Sequence, residues 1–363
     1  MTHVRAIALY LPQFHPIPEN DTWWGKGFTE WTNTAKAKPL FRGHYQPHIP
    51  ADLGFYDLRV SETRVQQADL ARRFGIEGFC YYHYWFGGKR ILNRPMDEVV
   101  TSSSPDFPFC ACWANESWTG VWHGAPKHTL LEQTYPGLAD HRAHFETLLP
   151  AFRDRRYIRV NGKPLFLIYR PLEIPDTAAT LRLWREMAAE AGLDGLHIVA
   201  CTYREVLIPP ELGYDASMVS APVKDRPWPK DWRRPLARLR RSLEYRLGIP
   251  HVFDFSELIA RSTPQPRPGV SYPCVIHAWD NTPRSGKNGV VYKNSDPKHF
   301  HTMLSAAVES VSHQAPDQRI VFLKSWNEWA EGNHLEPDLK YGTQYLEVVG
   351  DVISARGRIS EPG

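Results

Sequence analysis

A (β/α)8 barrel is the fold class that this 363-residue sequence predicts, and three observations carry the expectation. Eight short apolar runs alternate with helix-like periodicities, the pattern of parallel strands buried on both faces. Polar and aromatic clusters recur after those runs and not before them, which is where a barrel carries its functional loops. The first run is followed by Pro12-Gln-Phe-His15, not by the glycine-rich turn of a nucleotide-binding open sheet.

The elements follow in order. Residues 4–11 read as the first strand, ending in the cluster Tyr10, Gln13 and His15. Residues 61–74 carry helix signals, with Ser61 as the expected N-cap, apolar Val65, Ala68, Leu70 and Ala71, and Gly75 as the stop. A second strand spans 76–82, with His83, Tyr84 and Trp85 at its exit. A helix over 94–104 leads to a strand over 107–113, beyond which lie Asn115, Glu116 and Trp118. Helix 141–152, strand 164–169 with Arg170 at its exit, helix 177–191 and strand 196–202 continue the alternation. Strand 215–220 precedes the longest irregular stretch, and strand 274–278 exits at Trp279, Asp280 and Asn281. Helix 297–311, a strand from Ile320 to Leu323 and a helix over 344–353 complete the set.

By length the chain could hold two domains, but a closed barrel uses such a length as one, so residues 1–363 are expected to form one catalytic unit with a basic insertion at about 223–270. Lys and Arg number 43 against 40 Asp and Glu, a formal charge of +3, which points neither to nucleic acid nor to a membrane surface. The insertion is locally basic through Arg233, Arg234, Arg238, Arg240, Arg241 and Arg246. With Leu236, Leu239, Leu243 and Leu247 on one helical face, it is expected to dock on the barrel, contact with a lipid-linked glycan or membrane being the alternative. Cys80, Cys110, Cys112, Cys201 and Cys274 are odd in number and sit mostly in apolar runs, so they read as buried thiols. The first residues lack a signal-peptide core and no apolar run reaches membrane-spanning length, so a cytoplasmic location is expected.

The chemistry concentrates in residues 320–338. An apolar strand gives way to Lys324, Ser325, Trp326, Asn327, Glu328, Trp329, Ala330, Glu331 and Gly332. Two carboxylates at a strand exit, flanked by indoles, fit glycosidic-bond cleavage. One carboxyl protonates the leaving oxygen while the other acts as base or nucleophile. Aromatic faces stack on sugar C–H faces, and amides and imidazoles serve the hydroxyls. The alternative is a solvated turn between core tryptophans. On the same logic, each strand-exit residue named above is a candidate for binding or for a structural hydrogen-bonded cluster. For Asp280 the structural alternative is a turn cap, and for Arg170 it is a barrel carboxylate in place of an acidic sugar. Glu328, Glu331, His334 and Glu336 resemble a metal-ligand set in type, but no His-Glu-x-x-His spacing is present. Neither metal nor cofactor is expected.

The ordered motifs Tyr10-Leu-Pro-Gln-Phe-His15, Phe28-Thr-Glu-Trp31, Gly43-His-Tyr-Gln-Pro47, Gly78-Phe-Cys-Tyr-Tyr-His-Tyr-Trp85, Cys112-Trp-Ala-Asn-Glu116, Trp279-Asp-Asn-Thr-Pro-Arg284 and Trp326-Asn-Glu-Trp-Ala-Glu-Gly332 run from end to end. On these the chain resembles the WbsX-like family, named as glycosyltransferases in polysaccharide gene clusters and related to glycoside hydrolase family 99. The resemblance implies a barrel, a carbohydrate substrate and retaining, endo-type hydrolysis. It also implies roles: Glu328 acts on the sugar 2-hydroxyl, giving a 1,2-anhydro sugar, and Glu331 protonates the leaving group and then activates water. Tyr10, Gln13, His15, Trp31, His83, Tyr84, Trp85, Trp113, Asn115, Glu116, Trp118, Arg170, Trp279, Asp280, Asn281, Trp326, Asn327 and His334 are the candidate sugar-binding residues. A glycosyltransferase of surface-polysaccharide assembly and an inactive carbohydrate-binding barrel are the alternatives.

Overall fold

The computed structural model describes residues 3–120, 125–203, 206–221, 223, 242–265 and 267–358. Eight strands close into one parallel barrel: β1 (Arg5–Tyr10), β2 (Gly78–Phe86), β3 (Phe109–Trp113), β4 (Lys163–Ile168), β5 (His197–Tyr203), β6 (Ala216–Ser220), β7 (Val270–Ile276) and β8 (Ile320–Lys324). Closure is visible at Ala8, which lies opposite Phe79 of β2 on one side and Leu323 of β8 on the other. The strands are apolar throughout because the barrel interior and the helical shell both exclude water. In β8, Ile320, Val321, Phe322 and Leu323 are all buried, and each such side chain contributes about 1.5–3 kcal/mol.

The shell consists of α1 (Ser61–Arg73), α2 (Arg94–Ser102), α3 (Leu138–Arg153), α4 (Thr177–Glu190), α5 (Phe255–Ser262), α6 (Pro297–Val311) and α7 (Gln344–Arg358). Asp254 and Asp296 start α5 and α6 with side-chain caps on the backbone N–H of Ser256 and His299. Between β5 and β6 the described chain has a three-residue 3-10 helix, Pro210–Leu212, where the other strands are followed by an α-helix.

Several local readings change. Val60, not Ser61, holds the N-cap position of α1, and Ser61 is the first helical residue. β2 runs on to Phe86, so His83, Tyr84 and Trp85 lie within the strand and not beyond it. β7 begins at Val270, four residues before the run that the sequence marks. In the β6–β7 connection, His251–Asp254 pairs with Val290–Lys293 in a small separate sheet. Residues 224–241, with Arg233, Arg234, Arg238, Arg240 and Arg241, lie outside the described residues, and Arg246 is exposed. Leu243 and Leu247 are exposed and do not pack against the barrel as a buried stripe would. The five cysteines are free and buried. Among the described residues, no helix is long and apolar enough to cross a membrane.

Candidate active site

At the C-terminal mouth of the barrel lies a cavity of about 330 Å³. Its floor is set by the two-residue periodicity of the strands, since alternate side chains point inward. From β1 and its exit come Leu9, Leu11 and Gln13, from β2 Tyr82 and Tyr84, from β3 and its loop Cys112, Glu116 and Trp118, and from β8 Lys324. Tyr169, Tyr203, Trp279, Arg284, Glu328 and Glu331 complete the wall that bears the chemistry.

Glu328 and Glu331 lie on the turn that follows β8. Asn327–Glu328 and Asn333–His334 form a two-stranded ladder with a 3-10 helix, Trp329–Glu331, between them. Gly332 makes this turn possible: its φ is +57°, and a Cβ there would lie 3.0 Å from the Asp280 Cβ. The turn is pinned from outside by Asn327, whose amide exchanges hydrogen bonds with the Leu11 N–H (2.7 Å) and carbonyl (3.0 Å).

The two carboxyls are within hydrogen-bonding reach of each other, so the pair favours a state that holds one shared proton. Burial pushes the Glu328 carboxyl up to about 7, against the opposing pull of Lys324. The Lys324 Nζ stands 3.5 Å from Glu328 Oε2 and 3.9 Å from Glu331 Oε2. Burial alone would lower the ammonium's pKa, but the two glutamates hold it well above its ordinary value. Arg284 donates from Nη1 to Glu331 Oε1 at 2.6 Å and from Nε to Glu30 Oε2 at 3.1 Å. The fully buried Glu30 thus stands behind the guanidinium, and burial raises its own carboxyl. Burial likewise keeps the phenols of Tyr82 and Tyr84 protonated, with Glu328 adding to the effect, so both are hydrogen-bond donors to a ligand.

Of the sequence candidates, Gln13, Tyr84, Glu116, Trp118, Trp279, Glu328 and Glu331 line this cavity. Arg170 sits at its edge and is engaged by Glu116, accepting no free role as a clamp while its Nε donates to that carboxylate at 2.7 Å. The others are placed elsewhere. Tyr10 points outward and donates to Gln67 of α1 at 2.7 Å. His15 is buried, its Nδ1–H donating to the Pro12 carbonyl at 3.0 Å. Trp31 donates to the Tyr56 carbonyl at 2.8 Å and packs on Phe14 and Trp329. His83 and Trp85 point outward from β2 to stack on His144 of α3. Trp113 is fully buried between His144 and Trp184. Asn115 binds the Arg170 backbone through both ends of its amide. Asp280 caps Thr282 with one oxygen and accepts from Gln46 and His44, each at 2.7 Å, with the other. The Asn281 side chain accepts from the Val290 N–H at 2.7 Å. Trp326 is fully buried against Phe79, and His334 stacks on Trp329.

Tyr82, Tyr169, Tyr203, Lys324 and Arg284, and with them Glu30, are not among the sequence candidates. Strand parity was the available signal for Tyr82 over His83, since both cannot face the interior. No local signal marks Glu30, which meets Arg284 across 254 residues. Both tryptophans are fully buried, but only Trp279 borders the cavity, and this predicts different outcomes on truncation. Trp113→Ala should destabilise the fold by about 3–5 kcal/mol. Trp279→Ala should cost a comparable amount of stability, since it is equally buried, and should in addition weaken glycan binding by about 1–3 kcal/mol, since Trp279 borders the cavity with Lys324 Nζ 5.2 Å from its ring centroid. Thermal denaturation should show a loss of stability in both variants, and calorimetric titration of the folded variants with glycan fragments separates them; weakened binding in Trp113→Ala but not in Trp279→Ala would reject this placement of roles.

A closed (β/α)8 barrel with a charged carboxyl pair at its C-terminal mouth defines the structural class. Within it, the chain belongs to the family described as Glycosyltransferase WbsX, whose model matches residues 6–349. Two relatives from Xanthomonas campestris pv. campestris, strains B100 and ATCC 33913, are each 38% identical over 350 residues and bear the name Uncharacterized protein WxcX. The match takes in 96% of this chain and 49% of each relative, so the chain spans about half the length of the curated relatives it matches. Among solved structures, a glycoside hydrolase-like protein aligns with a TM-score of 0.58 at 14% identity, covering 97% of this chain and 94% of that one. The GH99 endo-alpha-mannosidase from Bacteroides thetaiotaomicron aligns with a TM-score of 0.56 at 15% identity, covering 98% and 97%. At these identities the structural likeness establishes the fold.

Proposed function

We propose that this chain is a glycoside hydrolase that cleaves a polysaccharide or oligosaccharide with retention of anomeric configuration. The observation that carries the reading is the placement of Glu328 and Glu331 on one turn of the cavity wall, with an oxygen of each within 4.0 Å of Lys324 Nζ, at 3.5 Å and 3.9 Å. An ordinary retaining pair holds its carboxyls about 5–5.5 Å apart across the scissile bond. A pair sharing one proton fits better with a substrate hydroxyl as the attacking group. Glu328 takes the proton of the 2-hydroxyl as that oxygen bonds to the anomeric carbon, and Glu331 gives a proton to the departing glycosidic oxygen. Water then opens the 1,2-anhydro sugar. Glu331 accepts the water's proton and Glu328 returns its own to O2, so both carboxyls end as they began. Tyr82, Tyr84 and Gln13 are placed to bind hydroxyls, and Trp279 and Trp118 to face sugar rings.

The second reading, sugar transfer in surface-polysaccharide assembly, is favoured by the family's description. A nucleotide donor would need cations for its phosphates, and among the described residues lining the cavity Arg284 and Lys324 are both engaged by the glutamates. Incubating the purified chain with polysaccharides and with nucleotide sugars, reading products by mass and anomeric configuration by NMR, separates the two. Retained-configuration oligosaccharides support hydrolysis, release of nucleotide supports transfer, and inverted products reject the neighbouring-hydroxyl route.

A further inference from the structure

We propose that His48, His334 and Asp338 form a binding site for one divalent transition-metal ion of the zinc class, behind the turn that carries Glu328 and Glu331. Along the sequence, the residue types suited to a metal gather within residues 328–336. The fold instead brings His48 from the β1–α1 loop, 286 residues from its partner, to face His334.

All three side chains are buried, and all three border a second cavity of about 470 Å³ on the far side of the turn from the carboxyl pair. His48 Nδ1 lies 2.8 Å from His334 Nε2, and these nitrogens lie 3.9 Å and 4.0 Å from Asp338 Oδ2. The circle through three points so spaced has a radius of about 2.1 Å, the length of a zinc–nitrogen or zinc–oxygen bond. An ion at its centre would reach all three ligand atoms with little movement of the chain. Two imidazoles and one carboxylate are a donor set that favours zinc and its first-row neighbours over magnesium or calcium. The bordering cavity leaves room for water to complete the coordination.

The groups around the ligands are arranged as such a site requires. His334 Nδ1 is 2.8 Å from the Glu336 carbonyl, which can only accept, so the proton is on Nδ1 and the Nε2 lone pair faces the centre. Its ring is fixed by stacking on Trp329, with centroids 3.6 Å apart and planes 8° from parallel. Asp338 Oδ1 is held by the backbone N–H groups of Lys340 (3.0 Å) and Tyr341 (2.7 Å), and Oδ2 is turned to the histidines with the Tyr45 hydroxyl donating at 3.2 Å. In the metal-free form the His48 Nδ1–H donates to His334 Nε2. On binding, that proton moves to His48 Nε2, a tautomer shift with no change of charge.

The ion would act as a strut. His334 pairs with Asn327, and Asn333 with Glu328, in the ladder on which the carboxyl-bearing turn is built. Tying His334 to His48 fastens that ladder to the β1–α1 loop from behind.

The test uses the full chain, purified without a histidine tag or chelator. Mass spectrometry of the metal content should give about one zinc per chain, either as purified or after incubation with zinc and gel filtration. The cobalt-substituted protein should show the absorption bands of a nitrogen- and oxygen-ligated ion. Zinc should raise the melting temperature of the wild type, because the ion binds the folded state. Asp338→Asn keeps the backbone caps on Oδ1 but removes the ligand charge, and His48→Gln removes one nitrogen. Each should weaken zinc binding at least about 100-fold, beyond the usual loss for an outer-shell partner. A folded wild type that retains less than about a tenth of an equivalent after zinc incubation overturns the site. So does unchanged stoichiometry and affinity in a folded variant. Should both variants fail to fold, the wild-type stoichiometry and cobalt spectrum still decide.

Discussion

Glu331→Gln is expected to lose roughly 10² to 10⁴ in rate on natural glycosides while folding as the wild type does, because the leaving oxygen no longer receives a proton. On a substrate with a good leaving group the loss should be much smaller, since such a group departs without protonation. Glu331 reaches the cavity beside Arg284, and its amide replacement retains one oxygen for that guanidinium. Steady-state rates on the two substrate types, with circular dichroism to confirm the fold, provide the measurement. An equal loss on both would remove Glu331 from the role of acid.

Lys324→Met is expected to destabilise the protein by about 3–5 kcal/mol at pH 8 and by clearly less at pH 5, because it leaves buried carboxylates without their nearest ammonium. The sign follows from Glu328. Its folded pKa of about 7 lies above the ordinary 4.5, so its contribution to stability is complete below about pH 4.5 and is lost as pH rises through 7. At pH 5 the pair holds its shared proton and Lys324 has less charge to balance. Catalysis carries the same signature. The wild-type kcat/KM should fall on the alkaline side with an apparent pKa near 7, as the pair gives up its shared proton. In the variant that limb should move to higher pH. Denaturant melts at the two pH values, with pH–rate profiles of both proteins, test this. A pH-independent cost with an unmoved limb would detach Lys324 from the pair.

The barrel was legible in the sequence because its signal is regional. Eight apolar runs survive small errors of boundary, and the late start assigned to β7 did no harm to the count. The carboxyl pair was legible because its members lie close together in sequence, four and seven residues beyond the end of one strand. What failed was orientation. Tyr10, His83, Trp85 and Trp113 follow or lie within the right strands but point to the helical shell, and a cluster quoted as a block conceals the alternation that divides it. Contacts between distant segments were hidden for a different reason. Glu30 with Arg284, and His48 with His334, meet through loop paths that no local periodicity encodes. Asp280 shows the middle case: its turn-capping role follows from Asx chemistry, whereas its bonds to His44 and Gln46 required the folded chain.

Four side chains of the cavity wall and the buried Glu30 behind them have a further consequence when taken together. Glu30, Glu328 and Glu331 offer three negative charges to the two positive charges of Arg284 and Lys324, and one proton shared by the glutamate pair brings the group to neutrality. An uncharged sugar therefore enters without expelling a counterion, and the reacting pair is insulated from the ionic strength of the medium. Medium acidity remains the variable to which this neutral cluster responds, because adding or withdrawing a proton is what unbalances it.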